Sequence, residues 1–452
     1  MPSHNAVIAT DRRFGQPPAT RRPVYRLVVG WVLLFAFAVG VALMGDYRAH
    51  VRLFQVAWLV GFVGFALVVV HFSRGVAVGA SAWWWVGFVA LRVIVWGAPP
   101  SDDLHRYMWE GKVQWYGLNP YSVTPDDPRT ADLRRGDANW RLMNHKDYPA
   151  IYPPLAQMVF RAGALLGDSV RIAKAIFLAL DVVVIVLIWR WLSATGLPPA
   201  WSAVYAACPL TVTAFAVDGH LDSLMLVWIA AGLLAARYQR VYLLAGCVGL
   251  AIASKLVAVV LLPWLFWRHR WAGMLAVLVA AATYLPYLGA GSELLVGLQR
   301  FAGTTSIFGL IHGPVQAWLG DTWSRPVCGG LLVAVCGWLA TRRLAFDDYA
   351  RSAFSALLVL MPVVHVWYLS WLLPVNCRRL RVWNLVFCAS MVFYFESERI
   401  RFMTGQWRMP EWAAYATFVP VVVAMAVEYA IRRGVPERIE RSADPNTDSP
   451  DA

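Results

Sequence analysis

Two adjacent carboxylates, Asp102 and Asp103, open a charged run that continues through His105, Arg106, Glu110 and Lys112. Read as a helix, Asp103, Arg106, Glu110 and Gln114 share one stripe, while Leu104, Met108, Gly111 and Trp115 form the opposed apolar stripe. A carboxylate beside a guanidinium can take a proton from a hydroxyl while a cation balances a nearby anion. Further ionisable residues stand in or beside apolar stretches: Arg92, Asp218, His220, Asp222, Lys255 and His365. Such groups are costly at membrane depth and are functional by default. Together they suit a substrate with a lipid tail and a phosphate head. The plainer reading of the first cluster is an amphipathic helix lying on a membrane surface with its charges in water.

The elements that must position these residues are membrane spans. Of 452 residues, 59% are hydrophobic and 15% charged, and the mean hydropathy is +0.53, which fits no soluble class. A span needs about 20 mostly apolar residues, so an all-α polytopic membrane protein with about 10 to 13 crossings is expected. The net charge of +13 comes from 40 Lys and Arg against 27 Asp and Glu, and only Lys112, Lys146, Lys174 and Lys255 are lysines. The basic residues cluster at span ends, as in cytoplasmic loops, and not on one continuous face, so no nucleic-acid partner is expected. The six cysteines contain no C-x-x-C pair, and neither a disulfide nor a metal site is expected.

Arg12, Arg13, Arg21, Arg22 and Arg26 precede the first apolar stretch and put the N-terminal tail, 1–26, in the cytoplasm. A transmembrane domain over 27–431 follows, and the polar tail 432–452 reads as disordered. Spans at 27–44, 53–72 and 76–96, with Arg74 in the inner joint, lead outward, leaving Arg48 and Arg52 on the outer side against the charge rule. A large outer loop, 98–169, holds the charged run. Its segment 154–167 would be about 21 Å long as a helix, too short for a ~30 Å core, and reads as a second interfacial helix or a lid that guides the acceptor. Spans at 170–189, 201–217 and 221–236 place Asp218 to Asp222 outside. The stretches 241–266 and 352–377 have basic residues at both ends and too little length for two crossings, so each reads as a short hairpin or broken helix pair. Spans at 271–289 and 326–340 bracket a second outer loop, 290–325, and spans at 382–395 and 413–431 finish the chain.

The run Ser-Asp-Asp-Leu-His-Arg-Tyr-Met-Trp-Glu-Gly at 101–111 stands with Gly-Leu-Asn-Pro-Tyr at 117–121, Asn144-His145 and Ile-Tyr-Pro-Pro-Leu-Ala-Gln at 151–157. Together they resemble the GT-C superfamily of polytopic glycosyltransferases, most closely the bacterial mannosyltransferase-like members that use polyprenyl-phosphate sugars. Asp218-Gly-His-Leu-Asp222, Ser254-Lys255 through Leu262-Pro263, and the run from His365 to Pro374 fit the same pattern, so the resemblance covers roughly 76–395. It implies a general base in the first outer loop. Registered on Arg106-Tyr107, as in the lipid A sugar transferases, the base is Asp103; read like the Asp-Glu of protein mannosyltransferases, it is Asp102. Arg106 and Lys255 would bind the donor phosphate, with Tyr107, Glu110, Tyr152, His220, Asp222, His365 and Trp367 also at the substrate. Some relatives carry Lys or His where Tyr152 precedes the two prolines. One phosphate ligand is therefore unassigned, and Arg92, Arg300 or His365 could replace it.

The implied function is transfer of a hexose, most simply mannose, from a polyprenyl-phosphate sugar to a hydroxyl of a lipid or glycan acceptor. It would take place on the extracytoplasmic side of a bacterial inner membrane, by single inverting displacement and without a cofactor. A hydroxyl needs a carboxylate as it attacks, whereas a phosphate monoester leaves as an anion that cations can stabilise. No phosphate-cradling Gly-rich loop is present, consistent with a donor other than a nucleotide sugar. The rival class is a secondary transporter or lipid flippase, whose charges would sit on discontinuous helices. Plainer readings stand beside the functional ones: a structural turn or sugar hydrogen bonding for His220 ahead of a metal site, for which three ligands on a tight turn are a weak signal, an interfacial aromatic belt for His365, Trp367, Tyr368 and Trp371, and solvated charges for Glu396, Glu398, Arg399 and Arg401.

Overall fold

The computed structural model describes residues 24–73 and 83–434. The expectations for 1–23, for Arg74 and the start of the third span, and for the tail from 435 lie outside these residues. Among the described residues helices are the only regular elements, joined by turns and irregular segments, apart from a single parallel bridge between Ile307 and Val363. Five helices are long and apolar enough to cross a bilayer, or seven if each of two bent pairs counts as one span. Four further apolar helices have only 10–17 residues. The polytopic architecture is therefore present, with fewer full-length spans than ten to thirteen, because prolines and ionisable residues cut several apolar stretches into pieces.

The full-length helices are α1 (Tyr25–Met44), α2 (Val51–Ser73), α6 (Val170–Ala194), α12 (His312–Thr341) and α16 (Glu411–Gly434). Between them lie α3 (Trp83–Val95), α4 (Asp102–Trp115), α5 (Pro154–Leu166), α7 (Asp222–Arg237), α8 (Val241–Ser254), α9 (Leu262–Arg268), α10 (Arg270–Ala282), α11 (Val296–Thr304), α13 (Phe346–Leu360), α14 (Val382–Ser390) and α15 (Phe395–Thr404). The expected span at 201–217 is a pair of helices, Pro199–Ala206 and Pro209–Val217, bent by 55°. The expected span at 271–289 turns by 89° after Ala282, and much of the second outer loop is helical.

Two breaks matter for the site. Lys255 ends α8 in an extended conformation, and 3₁₀ turns over Leu256–Leu261 lead to Pro263 in the first turn of α9. His365 follows α13 in the same way, with 3₁₀ turns over Val366–Leu372 leading to Pro374. Proline has no N–H and its ring crowds the carbonyl four residues back, so a regular α-helix cannot run through either stretch. The bridge at Ile307, with hydrogen bonds of 2.8 Å to the Pro362 carbonyl and from the Val364 N–H, pins the strand-like lead into His365.

Helix α4 is not the surface helix with solvated charges that its stripes suggest. Arg106, Glu110 and Gln114 are buried together with Leu104 and Met108, and Trp115 from the apolar stripe is the exposed one. The polar stripe faces the 144–157 segment and α5 instead of water. Gly111 lies at the crossing: a Cβ there would stand 2.2 Å from the Phe160 carbonyl oxygen. Gly111→Ala is expected to push α4 off α5 at a cost of about 1–3 kcal/mol, the usual range for overpacking. The measurement is the thermal unfolding midpoint in detergent, and an unchanged midpoint would mean that the two backbones do not meet there.

Candidate active site

The N-terminus of α4 is tied down by Ser101, whose N–H and hydroxyl both donate to the Asp218 carbonyl at 3.1 Å. This places Asp102 and Asp103 in the first turn of α4, facing a cavity of about 740 Å³. The polar part of its lining includes both carboxylates, Lys255, His365 and Arg401. The apolar part comes from the stretch after Lys255 and from α12 and α13, with Val257, Val260, Leu332 and Leu357. Tyr107 and Tyr152 form another wall, their rings edge to face at 5.1 Å, with Tyr107 stacked on Phe160.

The two aspartates have different surroundings. Asp102 accepts from the Arg401 guanidinium at 2.6 Å. Asp103 accepts from the Asn144 amide at 2.7 Å, lies 3.5 Å from Nδ1 of His220, and keeps 18% of its side chain exposed. Burial pushes the Asp103 carboxyl up to about 7, and the charge of Asp102 adds to this, while the Asn144 hydrogen bond and Lys255 pull it down. A carboxyl near 7 at the wall of a cavity matches the working range of a general base. Burial and the same Asp102 charge also raise Glu398, which lines the cavity from α15.

Lys255 reaches back to Asp222 at 2.7 Å and lies 4.3 Å from the centroid of the Tyr368 ring. Asp222 also accepts from the Trp371 indole at 2.6 Å and is fully enclosed, so it holds Lys255 in place and does not face the cavity. Trp367 is stacked by the His220 ring at 3.6 Å and the His365 ring at 4.4 Å, which takes up its faces and leaves no open platform for a sugar. His365 Nδ1 lies 2.6 Å from the Tyr394 hydroxyl oxygen. His220 is buried behind Asp103 and lines a small adjoining pocket, with Asp102 and Asp218, in place of the main cavity. Among the described residues no three His, Cys, Asp or Glu side chains are grouped to hold a metal ion.

Several expectations need correction. Arg106 spends its guanidinium on Glu110 at 2.7 Å, on the Tyr148 and Pro149 carbonyls at 3.0 Å, and on the His145 carbonyl. It touches the cavity, but its guanidinium nitrogens already donate to protein acceptors. Glu110 lies outside the lining and holds Arg106 and the Gln157 amide. Arg92 is likewise committed, to Asp181 and to the carbonyls of Phe88 and Ala206, in the core away from the cavity. Arg300 pairs with Asp147 outside the lining. The charges of the last outer loop are not simply solvated: Arg401 and Glu398 line the cavity, and Glu396 is buried against Gln55, Arg52 and Arg399. Arg401 reads as a solvated charge in sequence because its partner Asp102 lies 299 residues away. Tyr394, 29 residues from His365, carries no sequence signal of its own, and Asn144 is marked only by its place in a motif.

Arg106→Met tests the clamp. It would leave Glu110 buried without its partner, and breaking a buried pair costs about 3–5 kcal/mol. The expected result is a large fall in the thermal midpoint in detergent. Normal stability with weaker donor binding would instead return Arg106 to the phosphate role. Residues 26–273 of the chain match the model of the MptA_B family, described as alpha-(1->6)-mannopyranosyltransferase, N-terminal domain. No curated protein and no solved structure matches the chain.

Proposed function

The chain belongs to the alpha-(1->6)-mannopyranosyltransferase family, of GT-C type, and from that premise we propose that it takes mannose from a polyprenyl-phosphate carrier with Asp103 as general base. The mannosyltransferase class replaces the transporter reading. The observation that carries the finer proposal is the divided lining of the 740 Å³ cavity, with carboxylates and cations on one part and branched apolar side chains on another. A prenyl phosphate has the same two characters.

In this proposal the donor phosphate lies between Lys255 and Arg401, and its chain runs along Val257, Val260, Leu332 and Leu357. Both cations are held from behind, Lys255 by Asp222 and Arg401 by Asp102, which orients them at little cost when the anion arrives. The acceptor hydroxyl attacks the anomeric carbon as the bond from that carbon to the phosphate oxygen breaks. Asp103 takes the hydroxyl proton, and the prenyl phosphate leaves as an anion stabilised by the two cations. One displacement inverts the centre, so an α-linked product requires a β-linked donor. Asp102 is the less suitable base because its carboxylate is already paired.

Tyr107, Tyr152 and His365 are proposed to wall the sugar, His220 to support Asp103, and Trp367 to keep the two imidazoles apart. The matched segment supplies Asp103 and Lys255, while His365 and Arg401 lie beyond it. We therefore read 27–431 as one functional unit. The arginine pattern supports a cytoplasmic N-terminus and a cavity open to the extracytoplasmic side of the inner membrane, within reach of a lipid or glycan acceptor.

The test is mannose transfer from radiolabelled polyprenyl-phosphate mannose by purified protein. Asp103→Asn is expected to lose about 10²–10⁴ in kcat, the range for a positioned acid or base, while Asp102→Asn keeps more. Transfer from a nucleotide sugar with none from the prenyl phosphate would overturn the donor. The base acts ionised, so wild-type kcat/KM should rise with pH through about 7. Removing the Asp102 charge in Asp102→Asn should move that limb to lower pH, because a like charge no longer opposes ionisation. A limb that stays in place in Asp102→Asn and persists in Asp103→Asn would count against Asp103.

A further inference from the structure

A second concavity, of about 430 Å³, lies at the far end of α8 from Lys255. Helix α8 has 14 residues, so the two sites are separated by about 20 Å along its axis. The cup forms where α9 and α10 meet at His269, whose φ of −149° and ψ of 77° break the helix between Arg268 and Arg270. Gly273 lets α10 fold back against the Phe266 ring, because a Cβ there would stand 2.7 Å from it.

Arg268, His269 and Arg270 line this cup with Tyr242, Trp267 and Trp271, and no carboxylate does. Among the described residues neither arginine forms an ion pair, and Arg270 lies 5.4 Å from the centroid of the Trp271 ring. Tyr242, Trp267 and Trp271 are each more than 60% exposed, although they stand at the ends of apolar helices. Simple anchoring would account for arginines and aromatics at such a level one by one. What it leaves open is their convergence: two guanidiniums without an ion pair and two indoles line one concavity that holds no carboxylate.

We propose that this cup binds the phosphate of an anionic phospholipid, with Arg268 and Arg270 as its cations and the exposed indoles against the start of the acyl chains. A basic pocket between helix ends is the arrangement by which membrane proteins hold such headgroups. The indoles favour a lipid over free phosphate, since inorganic phosphate has nothing to lay against them. The site shares no lining residue with the mannosyl-transfer cavity and stands whether or not the donor proposal does.

The experiment is native mass spectrometry of the purified full-length protein, titrated with phosphatidylglycerol or with phosphatidylcholine of the same chains. Wild type should hold one more phosphatidylglycerol than phosphatidylcholine through detergent exchange. The double variant Arg268→Ala/Arg270→Ala should hold that lipid about thirtyfold more weakly, the loss expected from two juxtamembrane cations. Arg268→Lys/Arg270→Lys should keep most of the binding. Millimolar sodium phosphate should not displace the lipid. Equal retention of both lipids by wild type, unchanged binding in the alanine variant, or displacement by phosphate alone would overturn the proposal. If the alanine variant fails to fold, the comparison of the two lipids on wild type decides.

Discussion

The buried guanidinium of Arg106 organises the candidate site without being free to bind in it. Its hydrogen bonds join α4, through Glu110, to the backbone of a loop about forty residues on. That loop carries Asn144, the hydrogen-bond donor to Asp103, and leads into Tyr152 and α5. A planar cation with five donors suits the task, because several carbonyls and a carboxylate can be met at once in one plane. Glu110 compensates the charge, and Gln157 and Gln114 satisfy the polar atoms around it. A half-satisfied network in this place would cost more than an apolar one, so its members stand or fall together.

The second constraint is the membrane. Backbone without regular helix is tolerated at membrane depth only where it is enclosed by protein or lines a cavity. Both main interruptions, at Lys255 and at His365, border the same cavity, and each is followed by 3₁₀ turns and a Leu-Pro pair. The breaks bring a charged or aromatic side chain to a wall that continuous helices would have filled with apolar groups. They also leave branched residues just beyond Lys255 on that wall.

The carboxylates show how one local sequence acquires two roles. Asp102 and Asp103 are chemically identical neighbours in one helical turn. Arg401 arrives from 299 residues away and pairs with the first, while Asn144 and His220 approach the second. Burial raises the Asp103 carboxyl above the usual carboxylate range, and the neighbouring Asp102 charge raises it further through like-charge repulsion. Different charge and solvation, not residue type, are why the base role is proposed for Asp103.

The sequence by itself determined that the chain is an all-helical polytopic membrane protein, because apolar length and arginine placement are local properties of consecutive residues. It also marked the acidic run at 101–112 and the interrupted stretches around Lys255 and His365, since prolines and charges at membrane depth break a pattern visible along one strand of text. Only the tertiary structure decided that Arg106 and Arg92 are spent on carbonyls and carboxylates, that Trp367 has its faces covered, and that Arg401 belongs with the cavity and not with solvent. Those outcomes depend on which donors, acceptors and rings meet, some within one helical turn and some across as many as 299 residues. A side chain's type states what it can bind, but the partners that satisfy it are chosen by how the helices pack.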